Sequence, residues 1–131
     1  MLRFQHVLER RSVESLAVHG LTLPQFDVLA TLWHGEGITQ QELAERLLVT
    51  KGNVVGIIDR TGAAGWVERR PDPEDRRANR LYLTDAGRRL VSEAMPHQMA
   101  FLKKVFGRLT EGELRLMHEL LGRLEEANEE D

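Results

Sequence analysis

Residues 66–89 read WVERRPDPEDRRANRLYLTDAGRR. Two short runs with strand-forming residues, 66–70 and 80–83, flank a centre that cannot be regular structure. PDPED holds two prolines and three acids, and proline has no amide to give to a strand ladder. The segment therefore reads as a β-hairpin with a long exposed tip. Thr84-Asp85 follows at once as a helix start. Five arginines, Arg69, Arg70, Arg76, Arg77 and Arg80, fall on this one small element. Such a cluster is a local positive face, which is what a polyanion requires even of a chain that is acidic as a whole.

The residues before the hairpin give it a context. Thr39-Gln40-Gln41-Glu42 is a capping signal, and Leu43, Ala44 and Leu47 give a short helix over 40–47 an apolar side. Leu48-Val49 makes a turn. Thr50 caps a second helix over 50–64, which Gly65 ends. In that helix Val54, Ile57 and Ile58 share the core side, while Lys51, Asn53, Val55, Gly56 and Arg60 point away. Two helices joined by so short a break form a helix-turn-helix.

The outer parts of the chain are helical and apolar on one side. Phe4, Val7, Leu8, Val13, Leu16 and Ala17 line a helix over 3–19, with Gly20 as its stop. Thr22-Leu23-Pro24-Gln25 opens the next, over 24–34, with a capping box and a first-turn proline. A long helix over 85–106 carries Pro96, which predicts a kink, not necessarily a break. Thr110 to Glu113 is another capping box, and Leu114, Met117, Leu120, Leu121 and Leu124 stripe the helix over 111–127. That stripe is more than one terminal helix can hide by itself, so the outer helices are expected to pack together and against a second copy.

Composition agrees with a single small helical unit. The chain has 131 residues, 41% of them hydrophobic, and no cysteine, which excludes disulfides and thiol-based redox or metal switches. The net charge is −3. Residues 111–131 hold eight acids and two arginines, leaving sixteen basic and thirteen acidic residues before them. No run resembles a signal peptide or approaches a membrane span, so a cytoplasmic protein without a membrane partner is expected.

A helix of this kind fits the major groove of double-stranded DNA. Thr50 and Lys51 stand at its amino end, where backbone amides also favour phosphate. Asn53 suits an adenine edge, Val55 offers a surface to a thymine methyl, and Arg60, further down, suits the DNA backbone or an internal salt bridge. At the wing tip Arg76 or Arg77 suits a narrow minor groove. Asp75, two residues before Arg77, is expected to brace it by a bidentate pair.

The run from Leu21 to about Val91 resembles the MarR family of winged helix-turn-helix transcription factors. The resemblance rests on Leu21-Thr22 with Gln25, Gln41-Glu42-Leu43-Ala44, Asp59-Arg60, Gly65-Trp66-Val67, Asp72 to Arg77, and Leu83-Thr84 with Gly87. It implies a mainly α fold with a small β wing: a DNA-binding region over 21–84, and dimerisation helices over 1–20 and 85–131. It implies a homodimer on a pseudo-palindromic operator, repression, and release by a small ligand, for many members an anionic aromatic one. The wing arginine falls on Arg77, with Asp75 as its brace. Thr61-Gly62-Ala63-Ala64 departs from the pattern, which has a buried leucine at Thr61. Less apolar contact with the wing is therefore expected there.

For a ligand, His6, Arg10, His19, Phe26, Ala30, Trp33 and His34 are the candidates, since arginine and histidine beside an aromatic ring suit an aromatic carboxylate. No cofactor and no metal site is expected, because the five histidines are scattered. Catalysis has no motif to rest on: there is no glycine-rich phosphate loop, no metal-ligand run and no nucleophile signature. The competing reading is a winged-helix module that binds protein or shapes DNA without an effector.

Overall fold

The computed structural model describes residues 2–47, 51–75 and 77–129. Six helices and three strands follow the order α1 (Leu2–Ala17), α2 (Leu23–His34), β1 (Ile38–Thr39), α3 (Gln40–Leu47), α4 (Lys51–Ala63), β2 (Val67–Pro71), β3 (Asn79–Leu83), α5 (Asp85–Phe106) and α6 (Glu111–Glu129). The fold is mainly α with a small antiparallel sheet, as the sequence predicts. Two compact units divide the chain, residues 1–98 and 99–131, so α5 begins in the first and ends in the second. None of the described helices is long and apolar enough to cross a membrane.

Helix ends fall where the caps place them. Thr22 Oγ1 accepts the Gln25 N–H while Gln25 Oε1 accepts the Thr22 N–H, a reciprocal arrangement worth about 1 kcal/mol. Thr110 and Glu113 repeat it at the start of α6. Thr39 Oγ1 accepts the Glu42 N–H at 3.1 Å, capping α3. Helix α5 runs unbroken through Pro96.

One core serves the first unit. Leu16 of α1, Val28, Leu29 and Leu32 of α2, Leu43 of α3, Val54 and Ile58 of α4, Leu81 of β3, and Val91 and Ala94 of α5 are all buried in it. The sheet has the order β1-β3-β2. Ile38 faces Leu81, and Val67 faces Leu83, so the inner face of the hairpin closes over the helices. Strand β1 is a feature that the sequence reading lacks: two residues give no alternation to detect. Pro71 is tolerated because β2 is the sheet's edge.

The hairpin is seated against α5 at Gly87. A Cβ at that position would lie 2.0 Å from the Trp66 carbonyl oxygen. Only glycine lets the helix approach the strand so closely. The same carbonyl accepts the Thr84 N–H, and Thr84 Oγ1 donates to the Gly65 carbonyl at 2.6 Å.

Candidate nucleic-acid interface

Helices α3 and α4 are the two arms of the helix-turn-helix. The turn at Leu48-Val49, the cap at Thr50 and the side chains of Lys51 and Arg76 lie outside the described residues. Val54, Ile57, Ile58 and Thr61 are buried on the inner side of α4, while Asn53, Val55 and Arg60 are exposed on the outer side. The expected division of this helix into core and outer faces therefore holds.

Thr61 is satisfied within its own helix. It is fully buried, and its hydroxyl donates to the carbonyls of Ile57 at 2.9 Å and Ile58 at 3.0 Å. Its own carbonyl accepts the Trp66 N–H at 3.1 Å. A threonine bonded back to its own helix satisfies its polar group internally. The departure at Thr61 leaves a closed junction between α4 and the wing.

The stem of the wing spends its arginines on the protein. Arg69 reaches Asp59 of α4 at 2.6 Å and the Gln40 side chain of α3 at 2.7 Å, tying the wing to both helices. Arg70 and Arg80 stand directly opposite each other on the other face of the sheet, an unfavourable pairing unless each is compensated. Both are. Arg70 pairs with Glu68 and stacks 4.1 Å above the Tyr82 ring. Arg80 binds Asp72 Oδ2 at 3.0 Å and donates to the Gly37 carbonyl at 2.6 Å. Gly37 meets this carbonyl geometry with φ of +83°, in the region that glycine adopts without strain. Its neighbour Glu36 accepts from the Leu83 N–H and from Arg88, which joins β3 to α5. Burial alone would raise the Glu36 pKa, but Arg88 and the Leu83 N–H outweigh it and the net shift is downward.

Two aspartates fold the tip. Asp72, 8% exposed, accepts the Glu74 N–H at 2.9 Å through Oδ1, and its own N–H donates to the Ala78 carbonyl. The Glu74 N–H first, and then Arg80, hold its carboxyl below the usual range. Asp75 Oδ1 accepts the backbone N–H of Arg77 at 3.0 Å. The expected bidentate brace is thus replaced by a turn: Asp75 fixes the backbone beneath Arg77 and not its guanidinium. The buried brace of the wing is Asp72–Arg80. Arg77 is exposed, and no ion pair holds it among the described residues.

Between the outer side of α4 and this tip lies an open groove of about 600 Å³. Gln40, Gln41, Val55, Asp75, Arg77 and Asn79 line it. Gln40, Gln41 and Asn79 are absent from the sequence-derived set. Their signal was available, since amides at the start of α3 and beside the tip are base-edge donors and acceptors, but their placement depends on how the hairpin folds over α3.

The seven ligand candidates differ in burial. Phe26 is buried in the core and Ala30 packs against it. His6, Arg10, Trp33 and His34 are exposed, and His19 Nε2 lies 2.8 Å from His97 Nδ1. None of the seven lines the hollow beside α1 and α2. Among the described residues no group of three or more histidine or acidic side chains is placed to hold a metal.

The model of the MarR family matches residues 19–78. An uncharacterized HTH-type transcriptional regulator of Bacillus anthracis is 31% identical over 130 residues, 98% of this chain and 86% of its own length. A mutant MarR from E. coli, solved in complex with operator DNA, superposes with a TM-score of 0.82 at 28% identity, covering 93% of this chain and 91% of that one. AbsC, a MarR family regulator from Streptomyces coelicolor, shares the fold with a TM-score of 0.93 at 24% identity, over 99% and 90% of the two chains.

Proposed function

This chain belongs to the MarR family of transcriptional regulators, and from that premise we propose that it is a homodimeric repressor of the cytoplasm that binds a pseudo-palindromic operator and releases it when a small ligand binds. The groove between α4 and the wing tip is the observation that carries the reading. Asn53 and Val55 would face base edges in the major groove, with Thr50, Lys51 and Arg60 nearer the phosphates. Arg77, with Arg76 beside it, would grip the adjacent minor groove from a tip that Asp72 and Asp75 hold in shape. The operator complex of the related MarR supports the DNA-binding reading.

Dimerisation over 1–20 and 85–131 is supported by apolar side chains left uncovered on the terminal helices. Phe4 is 52% exposed, and Leu116, Leu120, Leu121 and Leu124 of α6 are exposed as well. Exposed apolar side chains on helices of this kind favour an interface.

Selection of bound DNA from a random pool tests the reading. The expected product is a sequence with inverted halves about one helical turn apart, bound by a species that sediments as a dimer at low micromolar concentration. Recovery of no enriched sequence, with uniform binding of all duplexes, would leave an architectural module instead. A monomer bound to single half-sites would end the two-lobed arrangement.

A further inference from the structure

The first unit holds a second hollow, which shares no lining residue with the groove at the wing tip. It measures about 560 Å³ and lies between α1, the start of α2, and residues Leu47 of α3 and Ile57 of α4. That volume is ordinary for a small-molecule site. Its walls are mostly apolar, with Val13, Leu23, Leu47 and Ile57 among them. The ionisable side chains that line it are both acids, Glu9 and Asp27, and among the described residues no lysine, arginine or histidine lines it.

Asp27 is the informative group. Part of the residue stays open to solvent, but the surrounding side chains strip enough water from its carboxyl to push the pKa up to about 6. No ion pair to Asp27 is made among the described residues, and the local bond from Thr31 goes to its backbone carbonyl. A carboxylate against an apolar wall without a counter-charge is unfavourable. An incoming cation would relieve that cost, whereas an anion would meet two acids and, among the described residues, no base.

We propose that this hollow binds an amphipathic organic cation, with its apolar body against Val13, Leu23, Leu47 and Ile57 and its positive group at the Asp27 carboxylate. Glu9 adds a second negative charge at the wall. The ligand class is thus opposite in charge to the aromatic anion that the sequence resemblance suggests. Ile57 lies on α4 two positions beyond Val55, so a ligand touching it presses on the inner side of the helix whose outer side faces the groove. That binding here changes DNA affinity rests on the proposed operator function; that binding occurs does not.

Two ions of nearly equal shape and opposite charge, tetraphenylphosphonium and tetraphenylborate, separate the possibilities. Titration calorimetry on the full chain should show the cation bound more tightly than the anion, by about tenfold or more at neutral pH. Asp27→Asn should abolish most of that preference, and Asp27→Glu should retain it. For the unaltered chain, lowering the pH from about 7.5 to about 5 should weaken cation binding about tenfold, as Asp27 takes up its proton. Val13→Trp, which fills the hollow and keeps both acids, should block both ions. Equal affinity for the two ions, or a preference that Asp27→Asn leaves intact, overturns the proposal. Operator binding is measured separately on the same samples. A chain that binds the cation but no operator refutes the DNA reading and leaves the site standing.

Discussion

The stem of the wing and its tip carry the same residue type to different ends. In the stem, Arg69, Arg70 and Arg80 are each bonded to a carboxylate of the same chain, and two of them also hold α3 or the loop before β1. At the tip, Arg77 projects from a turn whose backbone is fixed by aspartates while its guanidinium is left to solvent. A count of arginines in the hairpin therefore overstates the charge offered to a partner. The stem arginines set where the tip stands; the tip supplies the charge that a phosphate would feel. Changes in the stem should alter stability and shape together, and changes at the tip should alter binding and its salt dependence alone.

The largest effect is expected where the stem meets α5. Gly87→Ala would drive a Cβ into the Trp66 carbonyl, a backbone atom that cannot swing away. Denaturant unfolding should show a loss of about 3 kcal/mol or more, with operator binding failing as the hairpin is displaced. A variant of unchanged stability would mean that α5 and the hairpin slide freely past each other, and the stem would not be the rigid half of the comparison.

Arg80→Ala comes next. It leaves Asp72 buried beside the tip without its cation and frees the Gly37 carbonyl. Operator affinity should drop by more than about tenfold, beyond the loss of a single phosphate contact. The sign of the pH effect follows from the lowered pKa of Asp72. Its stabilising contribution is complete above the ordinary value of 3.8 and disappears as the pH falls through the depressed folded value. Removing Arg80 should move the Asp72 titration, followed by carboxyl NMR, up toward 3.8. An unmoved titration would assign the shift to the backbone N–H groups of Glu74 and Asp75.

Arg77→Ala sharpens the other half. The melting temperature should stay unchanged, since no ion pair is lost among the described residues. Affinity for the operator should fall about five- to tenfold at moderate salt, and the slope of log K against log salt should lessen by about one. Equal slopes for both proteins would show that the tip does not reach phosphate.

Much of this arrangement is legible in the sequence because its signals are local. Thr22 with Gln25 and Thr110 with Glu113 cap the helices that their spacing predicts. Val54, Ile57 and Ile58 turn inward as their period requires. What cannot be read locally is partner choice. Asp75 is two residues from Arg77, yet a side chain so close in a tight turn reaches the backbone amide before the guanidinium. Asp72 and Arg80 are eight residues apart and meet only because the strands bring the two ends of the tip together. Strand β1 exists only as a partner of β3, and the acidic hollow exists only where four helices converge.

The smallest effect is expected at the junction between the helix and the stem, at the buried Thr61. Thr61→Val removes a hydroxyl and keeps the shape. The lost bonds go to carbonyls of Ile57 and Ile58 in the same helix, so no donor is stranded, and the Trp66 N–H still reaches the residue's carbonyl. Stability should change by less than about 1 kcal/mol, with operator affinity unaltered. If Thr61→Val weakens DNA binding while stability holds, then the threonine sets the angle at which the wing leaves α4. The orientation of the tip would then depend on the end of α4 as well as on the ion pairs of the stem.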